Sequence, residues 1–215
     1  METAAMVLRI LSTWAPLLAA SSVAVACSST KPAAPDAFIQ ATVGPGDGDS
    51  STVCQLGTVE QFLDIGTATG DNPVRVTDGN QQAGSTVHIS CTVATSGSGF
   101  DINLNATQEG LQGGSLTITS PSGQGAVTTS GGTGVTAVFE SGQNGTFRAT
   151  NCTLSFAYQG GTVPDQPPIA AGRIWGHISC PDSEVAGQTV PAPDGGTENR
   201  TCDGEADILF EQCGS

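Results

Sequence analysis

The sequence predicts an all-β protein: an antiparallel two-layer β-sandwich of about eight to ten strands, stapled by disulfides. Three observations predict it. Short segments alternate apolar and polar residues, and clusters of Gly, Asn, Asp and Ser separate them. No long segment repeats its apolar residues at helical spacing. Six cysteines lie spread across the segment that carries these patterns.

Taken in order, residues 52–66 place Val53, Val59, Leu63 and Ile65 on odd positions. They read as one or two strands, with a helical turn over 59–63 as the alternative. A short run over 72–77 precedes the Asp78-Gly79-Asn80 turn. Residues 85–95 point Val87, Ile89, Cys91 and Val93 one way and His88 and Ser90 the other. After Ser96-Gly97-Ser98-Gly99 comes the cleanest strand, with Phe100, Ile102, Leu104 and Ala106 inward. Residues 115–120 return with Leu116 and Ile118 inward, completing a meander.

Residues 121–134 are almost all Gly, Ser, Thr and Gln and read as a surface loop. Residues 135–140 form a strand, and Asn144-Gly145 marks a hairpin turn. In 146–159 the inward parity changes near Thr150-Asn151, which predicts a β-bulge. Residues 173–180 place Ile174, Ile178 and Cys180 on one face, residues 181–200 read as a polar acidic loop, and 205–213 form the last strand with Ile208 and Phe210 inward.

The N-terminal region has a different character. Ile10 to Ala26 are uncharged and apolar or small, broken by Ser12, Thr13 and Pro16, too poor a run for a permanent span. Residues 1–26 read as a signal peptide, and Ala24-Val25-Ala26-Cys27 resembles a lipobox. Cys27 would carry the lipid and become the first residue of the mature protein, an anchor that does not span the bilayer. Residues 27–51, rich in Ala, Pro, Ser, Gly and Asp, read as a flexible tether, and 52–215 as the β-sandwich domain. A solvated linker is expected even around Phe38-Ile39.

The seven cysteines support this division. With Cys27 lipidated, Cys54, Cys91, Cys152, Cys180, Cys202 and Cys213 form an even set. They are spaced too widely for zinc, with His88 and His177 the only histidines. Disulfides are therefore expected, as suits an exported chain. Fifteen pairings are open. The preferred set is Cys180–Cys202, Cys91–Cys152 and Cys54–Cys213.

The net charge of −14, with Lys31 the single lysine, excludes a nucleic-acid partner, which needs a basic face. Catalytic motifs are missing. No serine has the flanking glycines of a nucleophile elbow, no His-Glu-x-x-His occurs, and the carboxylate pairs, such as Glu205 with Asp207, are those any acidic chain contains. No metal site is assigned. The acids Asp194, Glu198, Asp203, Glu205 and Asp207 would suit calcium only if the fold gathered them, and a solubilising role is preferred. The single unusual surface feature is the row Arg173, Trp175, His177 on one strand face, which a sugar ring would suit.

Cys27-Ser28-Ser29-Thr30-Lys31, the tether, Thr52-Val53-Cys54 at the start of the domain and Phe210-Glu211-Gln212-Cys213 at its end resemble the small LpqH-type mycobacterial lipoprotein antigens. That resemblance implies a β-rich domain behind a lipid tether, with its end cysteines paired. Ser28 after the lipobox implies export to the outer membrane in a diderm host. The expected function is a lipid-anchored protein facing the cell surface or periplasm, non-catalytic, with a binding or structural role and a protein or glycan ligand. The alternative is a carbohydrate-binding or carbohydrate-active protein.

Overall fold

The computed structural model describes residues 32–46, 54–68, 73–110, 113–156, 167–191 and 195–215. They form thirteen strands and no helix: β1 Asp36–Gly44, β2 Glu60–Ile65, β3 Val76–Thr77, β4 Gln81–Gln82, β5 Ser85–Ser96, β6 Gly99–Gln108, β7 Gly114–Thr119, β8 Val127–Thr128, β9 Gly131–Ser141, β10 Gly145–Ser155, β11 Ile169–Ala170, β12 Arg173–Pro191 and β13 Thr197–Glu211. Four of these are two-residue pieces, and the nine longer strands build the antiparallel fold that the alternation predicts.

The strands hydrogen-bond in the order β2-β1-β13-β12-β10-β9-β7-β6-β5-β4. This sheet folds over on itself in a sandwich-like manner. The Phe62 ring of β2 meets Phe147 of β10 edge-on at 5.4 Å, and β13 crosses Phe139 of β9 at Gly204. A Cβ at Gly204 would lie 2.6 Å from the Phe139 ring, so only glycine lets the layers approach there. The inward residues of both layers form one core, with Phe139, Phe147, Phe210, Leu104, Leu116, Ile118 and Ile174 all fully buried. The inward sets expected for β5 to β7 are those found, except that Cys91 and Phe100 are half-buried. The register of β10 shifts between Ala149 and Cys152, the bulge expected at Thr150-Asn151.

Three sequence expectations are corrected. Residues 36–44 are not tether. They form β1, paired between β2 and β13, and Ala37, Phe38 and Ile39 are fully buried. A strand covered on both faces shows no alternation, which is why its apolar run resembled none of the exposed-face strands. The domain thus begins before residue 52, and the compact unit spans Pro32–Ser215. Within 121–134, Val127 is buried in β8 and β9 has already started at Gly131. Residues 181–200 are mostly the two arms of a long hairpin. Register shifts at 180–183 and 184–189 let β12 continue past the points where its alternation fails. Residues 60–65 form the expected strand, not its helical-turn alternative, and Val59 is exposed outside it.

The cysteine pairing also differs from the preferred set. The six expected cysteines do form three disulfides, but as Cys54–Cys202, Cys91–Cys213 and Cys152–Cys180. The β12–β13 hairpin explains the change: Cys180 faces β10 and its Cys152, while Cys202 is carried along β13 to Cys54. Three intramolecular disulfides are compatible with an exported, oxidising environment.

The ends of the strand order are joined. The Gln82 side chain accepts a hydrogen bond from the Gly66 N–H at 2.8 Å and donates to the Gly66 and Asp64 carbonyls, linking β4 to the end of β2. Along β5, the Val93 N–H donates to the Gly214 carbonyl and the Gly214 N–H to the Cys91 carbonyl, while Gly172 donates to Val93. The Cys91–Cys213 disulfide fixes this closure.

Candidate functional site

Cys27, the expected lipid site, lies outside the described residues, as do residues 1–26, expected as a signal peptide, and Asp194 of the acidic set. The three row residues on β12 can be placed. Arg173, Trp175 and His177 share the outer face of the sheet, away from Ile174 and Ile178. Trp175 stands opposite Leu209 of β13, which in turn stands opposite Phe38 of β1. Leu209 and Phe38 are buried yet belong to the outer face. The centre of this face is therefore apolar and covered.

Charged groups flank that centre. Arg75 sits 2.5 Å from Glu211 and 3.4 Å from Asp36, and Arg173 approaches the other Glu211 oxygen at 3.8 Å. Burial is the main effect on Asp36 and raises its carboxyl above the ordinary range, partly offset by Arg75. On the other side, His177 Nδ1 lies 2.9 Å from Asp207 Oδ1. That hydrogen bond, with the charges of Asp207 and Glu205, raises the imidazole pKa, although burial opposes it. Phe156 meets Trp175 edge-on at 5.9 Å. Arg173 Nε and Trp175 Nε1 are buried without a hydrogen-bond partner among the described residues. The row exists as the sequence predicted, but its members face one another and a covered apolar strip. The indole is not an open platform.

The His177 contact has a measurable consequence. A pKa raised above the ordinary 6.5 means that the folded state holds the proton more tightly. Its stabilisation is complete below the unfolded pKa and fades as pH rises through the folded one. The stability gap between wild type and His177→Gln should be about 1 kcal/mol near pH 5.5 and shrink toward pH 8.5, measured by urea unfolding. A gap that stays constant or widens with pH would show that Asp207 does not hold the imidazolium.

Register places one combination that linear spacing conceals. Ser155 of β10, His177 of β12 and Asp207 of β13 stand side by side on three neighbouring strands. They are the residue types of an activated serine, but the Ser155 hydroxyl donates to the His177 carbonyl at 3.5 Å rather than to the ring. Both residues also lie within a β-ladder, where backbone N–H groups are committed to neighbouring strands and are poorly placed to receive an oxyanion. Only a known strand pairing brings residues 155, 177 and 207 together, so no local signal could have found them.

His88 is half-exposed and lies 3.1 Å from Glu109. Among the described residues, no group of three or more His, Cys, Asp or Glu side chains is arranged to hold a metal. Asp203 accepts the Asp182 N–H at 3.0 Å, and Asp207 is held by His177.

Among the described residues, three surface clefts bear on binding. The first, about 540 Å³, runs beside residues 107–110, 113–115 and 140–146, with Glu109 and Glu140 on its walls. The second, about 320 Å³, lies beside Thr42, Asp203 and Glu205. The third, about 550 Å³, is bounded by residues 55–60, the β9–β10 turn and Gln188. No family model, curated protein or solved structure matches the chain.

Proposed function

We propose that the chain is an exported lipoprotein, tethered to a membrane through Cys27, whose β domain has a non-catalytic binding or structural role at the cell surface or in the periplasm. The observation that carries this reading is the cysteine set. Six of seven cysteines pair among themselves inside the domain, and the one outside these pairs is the residue that follows the apolar run. An exported thiol left over from disulfide pairing is explained if it is acylated. The Ser155 hydroxyl, turned away from the imidazole, favours binding over acyl transfer.

Mass spectrometry of the mature protein from a bacterial host with a lipoprotein pathway tests the anchor. The expected N-terminal peptide begins at Cys27 and carries a diacylglycerol mass. Cys27→Ala should move the protein from the membrane fraction to the soluble one. A mature protein starting elsewhere, or starting at an unmodified Cys27, would overturn the lipoprotein reading.

A further inference from the structure

We propose that the cleft of about 550 Å³ formed by residues 55–60, the β9–β10 turn and the β12 bulge binds a neutral, hydroxyl-rich ligand of the saccharide class. The inference rests on reading the domain as a binding domain, and it names the place and the chemistry. Gln55, Glu60, Gln143, Asn144 and Gln188 converge on the cleft, and Leu56 is the one large apolar side chain among the described residues that line it. Each amide offers two N–H donors and a carbonyl acceptor, the pattern that adjacent hydroxyl groups can match. Among the described residues no Arg, Lys or His lines the cleft, so an anion would meet Glu60 uncompensated, on a chain of net charge −14. One leucine is too little apolar wall for a lipid or an aromatic ligand.

The lining is held in place before any ligand arrives. Gln55 follows Cys54, whose disulfide to Cys202 ties this segment to β13. Gln55 Nε2 donates to the Asn144 carbonyl at 3.2 Å, and Asn144 Nδ2 donates to the Glu60 carboxylate. Ser141 Oγ accepts the backbone N–H groups of Gln143 and Asn144 at 3.1 and 3.2 Å, fixing the turn. Gln188 sits within the register shift of β12 between Glu184 and Thr189, where the strand leaves its ladder. Its side chain has no hydrogen-bond partner among the described residues. The cleft thus combines two anchored side-chain amides, Gln55 and Asn144, with those of Gln143 and Gln188, which have no partner among the described residues, whereas in the Arg173–Trp175–His177 row Glu211 and Asp207 already engage Arg173 and His177. Preorganised polar groups lose less freedom when they bind.

The test uses the full mature chain in detergent on an array of neutral and uronic-acid oligosaccharides, followed by titration with the neutral oligosaccharide it retains. Gln188→Ala and Gln143→Ala should each weaken binding roughly five- to tenfold, the loss of about one hydrogen bond. Trp175→Ala should leave it unchanged. Retention of no neutral glycan overturns the proposal. So does preferential retention of uronic-acid glycans, or loss of binding in Trp175→Ala with both glutamine variants intact. The N-terminal mass of the same preparation reports on the anchor separately, so failure of the cleft and failure of the tether are read from different measurements.

Discussion

Replacing Cys54 and Cys202 together with alanine should lower the stability of the domain by about 4 kcal/mol. The two residues are 148 positions apart, but that separation overstates the loop the bond closes. With Cys91–Cys213 intact, the closed ring consists of residues 54–91 and 202–213, roughly 50 residues, and loop-closure entropy for that length gives the figure above. Both sulfurs are buried, so the truncation also leaves unfilled space in the core. Set against a typical domain stability of about 5–15 kcal/mol, the loss is a large fraction of the whole. Urea unfolding of the oxidised variant should show a midpoint lower by about 2 M. A shift below about 0.5 M would mean that the unfolded chain gains little freedom when this bond is absent.

The second large effect is kinetic. Cys54, Cys152, Cys180 and Cys202 are at most 1% exposed, whereas Cys91 and Cys213 are half-buried beside the C-terminal residues. A reducing thiolate must reach a sulfur atom to attack it. Under native conditions, dilute dithiothreitol should therefore reduce Cys91–Cys213 at least about tenfold faster than either buried pair, which must wait for an opening of the core. Alkylation followed by peptide mapping would find label first on Cys91 and Cys213. Hydrogen exchange should then quicken at Val93 and Gly214, whose N–H groups close this part of the sheet. Equal labelling of all six cysteines, or first labelling of Cys152 and Cys180, would show that exposure does not set the order.

Legibility in the sequence followed burial on one face. β5, β6 and β7 each have one buried and one wet face, so their alternation could be read directly. β1 is buried on both faces and built partly from alanine, and its Pro- and Gly-rich flanks matched those of a linker. In β12 the alternation stops at Cys180 because the bulges beyond it shift the parity that marks a strand. The disulfide partners depend on which strands become neighbours, and β13 inserts between β1 and β12. Nothing near Cys202 signals that it will meet Cys54. The same holds for function. The row Arg173, Trp175, His177 was visible as spacing two along one strand, but Asp207 and Glu211, which occupy it, come from another. The cleft beside Gln188 draws on three separated segments and had no linear signature.

The Gln82 amide has a consequence beyond local bonding. A sheet that is opened flat ends in two rows of unpaired backbone groups, each a template for another chain. Here the Gln82 side chain takes the place of a missing strand at Asp64 and Gly66, and residues 213–214 occupy part of the β5 margin. The benefit is colloidal. At high concentration, copies of the domain then offer one another fewer open margins on which to pair strand to strand.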